Sequence, residues 1–317
     1  MISVLIFGQP FAATRIARAL NSGDAVDVQA TFVPESDYIR VLARRQIADR
    51  VVIMRAGYRV GARTRRGRLF DAYWSVLRRS LPRAVRCHYW LGTDVMRTLE
   101  DARSGTLRSA ALASARDDLH LAVAPWLTSE LASVGLHAHT AILPPPIQVP
   151  EVSPPLPTEF SVLSYLPTQR FEFYGGEAIL EVARRLPHVR FDVVASLGEA
   201  AQSAPLNIRW HGWVANMAEY YASATVVLRI PHHDGFGKTV IEGLLNARHI
   251  IYTHEVPFVR KVWPATADAI VGELDELLQA HADGRLNPNL KGRAYALEEF
   301  DLVRLGDHMK GLIRART

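Results

Sequence analysis

The chain has 317 residues, 49% hydrophobic and 22% charged, with a formal net charge of +5. That is enough apolar material for one large core or two ordinary ones, and it excludes global disorder. A single cysteine, Cys87, excludes an internal disulfide and a cysteine-based zinc site, and makes a cytoplasmic protein the default expectation.

The N-terminus, Met-Ile-Ser-Val-Leu-Ile-Phe-Gly, has no basic leader, and its apolar run stops at Gly8-Gln9-Pro10. It reads as a first strand and not as a signal peptide. Short apolar runs then alternate with helical spacing. Strands are predicted at 2–8, 26–33, 51–54, 84–90, 119–124 and 138–143, and helices at 12–21, 38–48, 106–116 and 128–134. Seven prolines fall within residues 144–157, a density that neither a helix nor a central strand tolerates. A stiff linker over 147–158 is expected to part a domain of residues 1–146 from one of residues 159–300. Beyond it the alternation restarts. Strands are predicted at 160–166, 189–195, 208–213, 226–230 and 249–253, helices at 176–186, 217–224, 238–247 and 275–281, and a helical tail over 297–314. The pattern is α/β: two Rossmann-like, doubly wound domains with parallel sheets, facing a cleft. Ligands of such sheets bind beyond the carboxyl ends of the strands. No stretch approaches the roughly 18–20 apolar residues needed to span a bilayer.

Charge is unevenly spread. Residues 1–146 hold 20 Arg, no Lys and 12 acids, a balance of +8, whereas residues 147–317 hold 17 bases and 20 acids, a balance of −3. Ten arginines and one acid, Asp71, fall within 55–86, interleaved with Tyr58, Phe70, Tyr73, Trp74 and Leu77. Such a stretch suits a solvated basic face, a phosphate-rich acceptor, or peripheral contact with the anionic inner face of a membrane. No nucleic-acid motif accompanies it, so nucleic acid is not the expected partner.

The stretch 229–245 carries the chemistry: Arg-Ile-Pro-His-His-Asp-Gly-Phe-Gly-Lys-Thr-Val-Ile-Glu-Gly-Leu-Leu. It runs from a strand through a glycine-bearing turn into a helix. Gly235 and Gly237 are expected to admit close backbone approach and positive φ. The helix N-terminus, with Lys238 beside it, suits an anionic phosphate. Asp234 and Glu242 can then touch different parts of one elongated ligand.

This motif resembles the donor-binding motif of the large retaining glycosyltransferase family of GT-B fold (group 1, family-4-like) that includes sucrose synthases and bacterial mannosyltransferases. The family pattern is a Glu, Gly-Phe-Gly, and a second Glu after seven intervening residues. Here Asp234, Gly235-Phe236-Gly237 and Glu242 take those places. The resemblance implies a nucleotide-sugar donor, with Asp234 on the sugar hydroxyls, Glu242 on the ribose hydroxyls and Phe236 within the donor loop. Residues 160–177 occupy the place of the family's first C-domain strand and basic loop, where Arg170 would meet the pyrophosphate. The Lys usual in that loop is replaced by Tyr174, and Lys238 can supply the charge. Residues 207–214, Asn-Ile-Arg-Trp-His-Gly-Trp-Val, match the strand near which the family places the nucleobase. Trp213 there suits either a stack on the base or a place in the core. In the first half, Tyr89-Trp90-Leu91-Gly92-Thr93-Asp94-Val95 resembles the family's N-domain loop. Leu91 stands where many members carry a His, His88 lies farther back, and Asp94 is the candidate carboxylate or a helix cap. Gly8 would face the same cleft.

The resemblance further implies that residues 301–317 pack back on the first domain. It also implies that the first domain receives the acceptor, which the basic, aromatic stretch there favours as a lipid-linked or surface glycan, and that transfer proceeds with retention and without metal or cofactor. The twelve histidines form no metal motif, His232-His233 being adjacent. A non-catalytic nucleotide-sugar binder and a nucleotide-sugar epimerase on the same scaffold are the competing readings.

Overall fold

The computed structural model describes residues 1–43, 50–57, 65–107, 109–143, 149–201 and 203–317. Pro144-Pro145-Pro146 of the expected linker, Tyr58, Arg59 and Arg63 of the basic stretch, and residues 44–48 of the second predicted helix lie outside them. The chain divides into two compact units, Met1–Pro146 with Phe300–Thr317, and Ile147–Glu299.

In the first unit the apolar runs become the strands β1 (Ile2–Gly8), β2 (Val28–Phe32), β3 (Arg50–Ala56), β4 (Val85–Trp90), β5 (Leu119–Ala122) and β6 (Ala138–Thr140). All pairings are parallel, in the order β2-β1-β3-β4-β5-β6. The chain reverses direction across the sheet at β1, which pairs with both β2 and β3. The helices are α1 (Pro10–Leu20), α2 (Tyr38–Ala43), α3 (Arg65–Ser80), α4 (Thr93–Arg103), α5 (Ser109–Ala115) and α6 (Pro125–Ala132). The helix α3 stands in the basic stretch, where no element was predicted. Its Phe70, Trp74 and Leu77, at helical spacing, pack on Phe7, Val51 and Ile53 of the sheet.

In the second unit the strands are β7 (Ser161–Tyr165), β8 (Arg190–Val194), β9 (Ile208–Trp210), β10 (Val226–Arg229), β11 (His249–Tyr252) and β12 (Arg260–Lys261). They form a second parallel sheet, β12-β11-β10-β7-β8-β9, reversing at β7. The helices are α7 (Gly176–Arg185), α8 (Ala218–Ala222), α9 (Lys238–Leu245), α10 (Ala267–Ala282) and α11 (Leu290–Glu299), and the chain then ends in α12 (Leu302–Arg314). The single tail helix expected over 297–314 is broken at Phe300-Asp301. Asp301 lies in extended backbone and its carboxylate accepts from the Arg304 amide, which starts a new helix there.

The helix α12 packs on α1. A Cβ at Gly306 would overlap the Ala19 carbonyl, so only glycine permits this approach. Lys310 is fully buried beneath it, donating to the Ser22 carbonyl and to Asp307. In the second unit two arginines hold the proline-rich segment. Buried Arg248 donates to the carbonyls of Pro154 and Pro155, and Arg293 to that of Pro150. Burial pulls the Arg248 pKa down to about 10.

A polar row crosses the first sheet, with Arg55, His88 and His120 in register on β3, β4 and β5. Arg55 is buried and pairs with Asp71 of α3 at 2.8 Å. His88 lies 2.9 Å from the Asp118 carboxylate, which Arg86 also pairs. Trp90 donates to Nδ1 of His120, leaving Nε2 to donate to the Ala115 carbonyl. The basic stretch is therefore not one face: Arg55 and Arg86 are used inside the domain.

Burial pushes His88 down to about 4, with the charges of His120 and Arg55 adding to the effect against the Asp118 bond. The unfolded chain binds that proton near pH 6.5, so the stability is complete above that pH and is lost as pH falls toward 4. Burial lowers His120 in the same sense. Denaturant unfolding should show a loss of up to about 3 kcal/mol from His88 between neutral pH and about pH 4. A folded His88→Phe variant should show a flatter profile, and an equal slope would contradict this account.

Candidate functional site

The sheet of the second unit reverses between β7 and β10, and the loops leaving these two neighbours are tied together. From β7 the chain passes through two short 3₁₀ turns, Thr168–Arg170 and Glu172–Tyr174, into α7. From β10 it passes through 230–237 into α9. The His232 amide donates to the Phe173 carbonyl at 2.9 Å. Gly175, at φ +77°, lies so close to Ile230 that a Cβ would meet its side chain at 2.7 Å. Thr168 in turn donates to Glu199 at 3.0 Å, and Glu199 also accepts from the Leu197 amide at 3.1 Å, which fixes the loop after β8.

The Arg170 guanidinium carbon lies over the Phe173 ring, 3.8 Å from its centre, and 5.5 Å from that of Tyr174. Among the described residues it has no carboxylate partner, so its N–H groups are available to an anion. Tyr174, in the place of the family's Lys, stacks instead beneath Arg229, whose guanidinium carbon is 4.7 Å from its ring centre.

Asp234 is held from behind. Its Oδ2 accepts from Nε and Nη2 of Arg229 at 3.0 and 2.9 Å and from the Tyr252 hydroxyl at 3.2 Å. Burial works against the Arg229 charge, but Asp234 beside it holds its pKa above the ordinary value. Neither Gly235 nor Gly237 adopts positive φ, contrary to expectation. Gly237 is favoured by space: a Cβ there would stand a tight 3.1 Å from Asp234 Oδ2 and 3.3 Å from Arg229 Nε. Phe236 is half-buried between the two glycines.

Gly237 is the N-cap of α9 and no side chain caps that end; the Val240 amide turns back to the Gly237 carbonyl at 2.9 Å, and those of Lys238 and Thr239 have no side-chain cap. Lys238 is the first helical residue and half-exposed. Its Nζ lies 3.1 Å from Glu242 Oε1, one turn on. Glu242 is 3% exposed, and its other oxygen accepts from the Tyr221 hydroxyl of α8 at 2.7 Å. Burial and the neighbouring Glu242 charge push the Tyr221 pKa well up, which keeps it a donor. Trp213 is 82% exposed, which overturns a place in the core. It follows Gly212, whose backbone pairs with Ala195 and Ser196 after β8.

In the first unit the ends of β1, β3 and β4 gather Gly8, Leu91 and Asp94. Gly8, at φ +129°, faces the Ala56 carbonyl, which a Cβ would overlap. Leu91 packs against Gly57. Asp94 is buried in the first turn of α4, and its carboxylate accepts from the amides of Leu91, Gly92 and Val95 at 2.9–3.2 Å. Burial raises its pKa against those bonds. The geometry is that of a residue holding its loop. His88 points into the polar row under α3 and not to the strand ends.

No protein-family model matches the chain, and no curated protein does. Solved structures do match. TarM superposes with a TM-score of 0.60 at 11% identity over 87% of this chain, which spans only 57% of the TarM chain. A glycosyltransferase from Rickettsia africae gives 0.69 at 11% identity, covering 99% of this chain and 98% of its own. The lipopolysaccharide outer core galactosyltransferase WaaB, in its apo form, gives 0.66 at 13%, covering 99% and 100%. The chain has the GT-B fold. At such identities the likeness is one of fold alone.

Three residues that fix this candidate site were not found from the sequence: Tyr221, Arg229 and Tyr252. Arg229 had a signal, a charge closing a buried strand with a carboxylate five residues on. Tyr221 and Tyr252 had none, since their partners Glu242 and Asp234 lie on other elements.

Proposed function

We propose that the chain transfers a sugar from a nucleoside-diphosphate donor to an acceptor hydroxyl, with retention of configuration and without a metal. The observation that carries this is the pair of tied loops at the β7–β10 reversal. They bring a ring-stacked, unpaired Arg170 and the uncapped N-terminus of α9, with Lys238 and Glu242, to adjacent strand ends. Pyrophosphate binds Arg170, Lys238 and the helix amides. The same groups stabilise the charge that grows on the leaving oxygen as the sugar–phosphate bond breaks. Glu242, already accepting from Tyr221, takes the ribose hydroxyls. Asp234, fixed by Arg229, takes the sugar hydroxyls. Trp213 covers the base. The first unit receives the acceptor. The names of the Rickettsia protein and WaaB agree with sugar transfer.

Tyr174 in place of the family's Lys, and Leu91 in place of its His, favour the alternative of a binder without turnover. Incubation with a panel of nucleotide sugars decides between them. Transfer predicts nucleoside diphosphate whose release depends on an acceptor, and binding without release supports the alternative. Glu242→Ala should weaken the preferred donor by about 2–4 kcal/mol, the worth of charge-assisted bonds to two hydroxyls. Calorimetry showing unchanged affinity in a folded variant would overturn the assignment.

We also propose that the first unit meets an anionic membrane from the cytoplasmic side, where a lipid-linked acceptor is held. Support comes from the outer face of α3, where exposed Leu69, Ala72 and Val76 are flanked by exposed Arg65, Arg68 and Arg79. Among the described residues no helix is long and apolar enough to cross a membrane. Each such Arg is worth about 1 kcal/mol at an anionic surface, screened by salt. Binding to anionic liposomes should fade with salt and drop when Arg65, Arg68 and Arg79 are replaced by Gln. No binding by the unaltered protein at low salt would refute the contact.

A further inference from the structure

Beside the donor loop, on the second unit, lies a groove of about 440 Å³ between the N-terminal ends of α7 and α10. Its size falls within the roughly 300–1,000 Å³ of small-molecule sites. One wall is Pro231-His232, and the others include Glu172, Glu177, Ala178 and Trp263. Two features set it apart from ordinary surface. Trp263 is 63% exposed, an indole face that takes part in none of the ring contacts among the described residues. Glu172 and Glu177 are exposed acids whose carboxylates have no ion pair or hydrogen bond there, although this chain pairs many of its surface acids. His232 lines the groove with its backbone locked to Phe173 and its ring stacked on Phe173 at 6.3 Å.

We propose that this groove is a carbohydrate subsite separate from the donor site, and that it takes a pyranose ring. The apolar C–H face of a pyranose covers an exposed indole and removes it from water, while its hydroxyls donate to unpaired carboxylates. A flat aromatic residue beside free acceptors on an apolar floor satisfies both faces of a sugar at once. The loop that forms one wall continues two residues later into Asp234, so a sugar here lies alongside the donor loop without using Arg170, Lys238 or Glu242. The inference rests on the chemistry of the groove and stands even if the donor reading fails.

The test is saturation-transfer NMR on the full chain with methyl α-glucopyranoside, methyl α-galactopyranoside and methyl N-acetyl-α-glucosaminide. At least one should receive saturation on its ring C–H protons from the unaltered protein. Trp263→Ala should cut its affinity at least tenfold, Trp263→Phe should retain most of it, and Glu172→Gln with Glu177→Gln should weaken it. Because Trp263 is exposed, its replacement leaves the core intact, which circular dichroism checks. Asp234→Asn, which alters the proposed sugar contact of the donor site, should leave the signal unchanged. No transfer to any of the three glycosides, a signal that survives Trp263→Ala, or one that disappears in a folded Asp234→Asn variant overturns the proposal. The last outcome would place the sugar in the donor site, and loss of nucleotide-sugar affinity in Asp234→Asn with this signal intact keeps the two readings distinct.

Discussion

A guanidinium buried at the end of a strand has to be neutralised where it stands, and that requirement shapes the loop that follows β10. Arg229 closes β10 with almost no solvent access. Removing one partner of such a pair typically costs about 3–5 kcal/mol, because the other charge is left uncompensated. Asp234 answers it from five residues on, helped by Tyr252, and the loop between them has to turn back on itself. Gly237 is then crowded against both partners, and the chain leaves this point directly into α9. An aspartate in the first carboxylate position has a physical reason here: its short arm keeps it on Arg229. Tyr174, in the place of a family Lys, serves the same cation with its ring.

The second carboxylate is held in a different way. Glu242 is buried between a tyrosine hydroxyl and a lysine one turn earlier, so its two oxygens point in set directions. Around these pairs the scaffold is stiff. The parallel strands are buried along most of their length, and arginines such as Arg248 and Arg293 fasten the proline-rich segment to the second unit. Glycine makes the close approaches possible where helices and loops meet carbonyls, at Gly8 and Gly306 in the first unit. The candidate site residues stand at the strand ends of this scaffold.

Much of this was legible in the sequence. The strands came through because a parallel sheet buries both faces, so each strand reads as a continuous apolar run. Boundaries shifted by a few residues, as at β9, which stops at Trp210 while the chain goes on to an exposed Trp213. The helix α3 was obscured by arginines on its outer face, although Phe70, Trp74 and Leu77 carry its inner period. The break before α12 rests on one cap, Asp301, which a continuous amphipathic pattern hides. In the candidate site, Lys238 and Glu242 could be placed together because one helical turn separates them, and Arg170 came only with the family resemblance. The partners that fix the carboxylates were not readable, because Tyr221 and Tyr252 reach Glu242 and Asp234 only through the tertiary fold. Asp94 shows the opposite limit: a cleft carboxylate and a residue that holds its own loop look alike in sequence, and its three amide donors appear only in the fold.

The central claim is that a nucleotide-activated donor sits on the two loops leaving β7 and β10. Amide hydrogen exchange, with and without the best-binding nucleotide sugar, reads this most directly, since bound phosphate and ribose should slow exchange where they touch. The account predicts protection in peptides covering 168–176 and 231–242, with the far strands β5 and β6 unchanged. Protection centred on the first unit, with both of those loops exchanging as before, would contradict it.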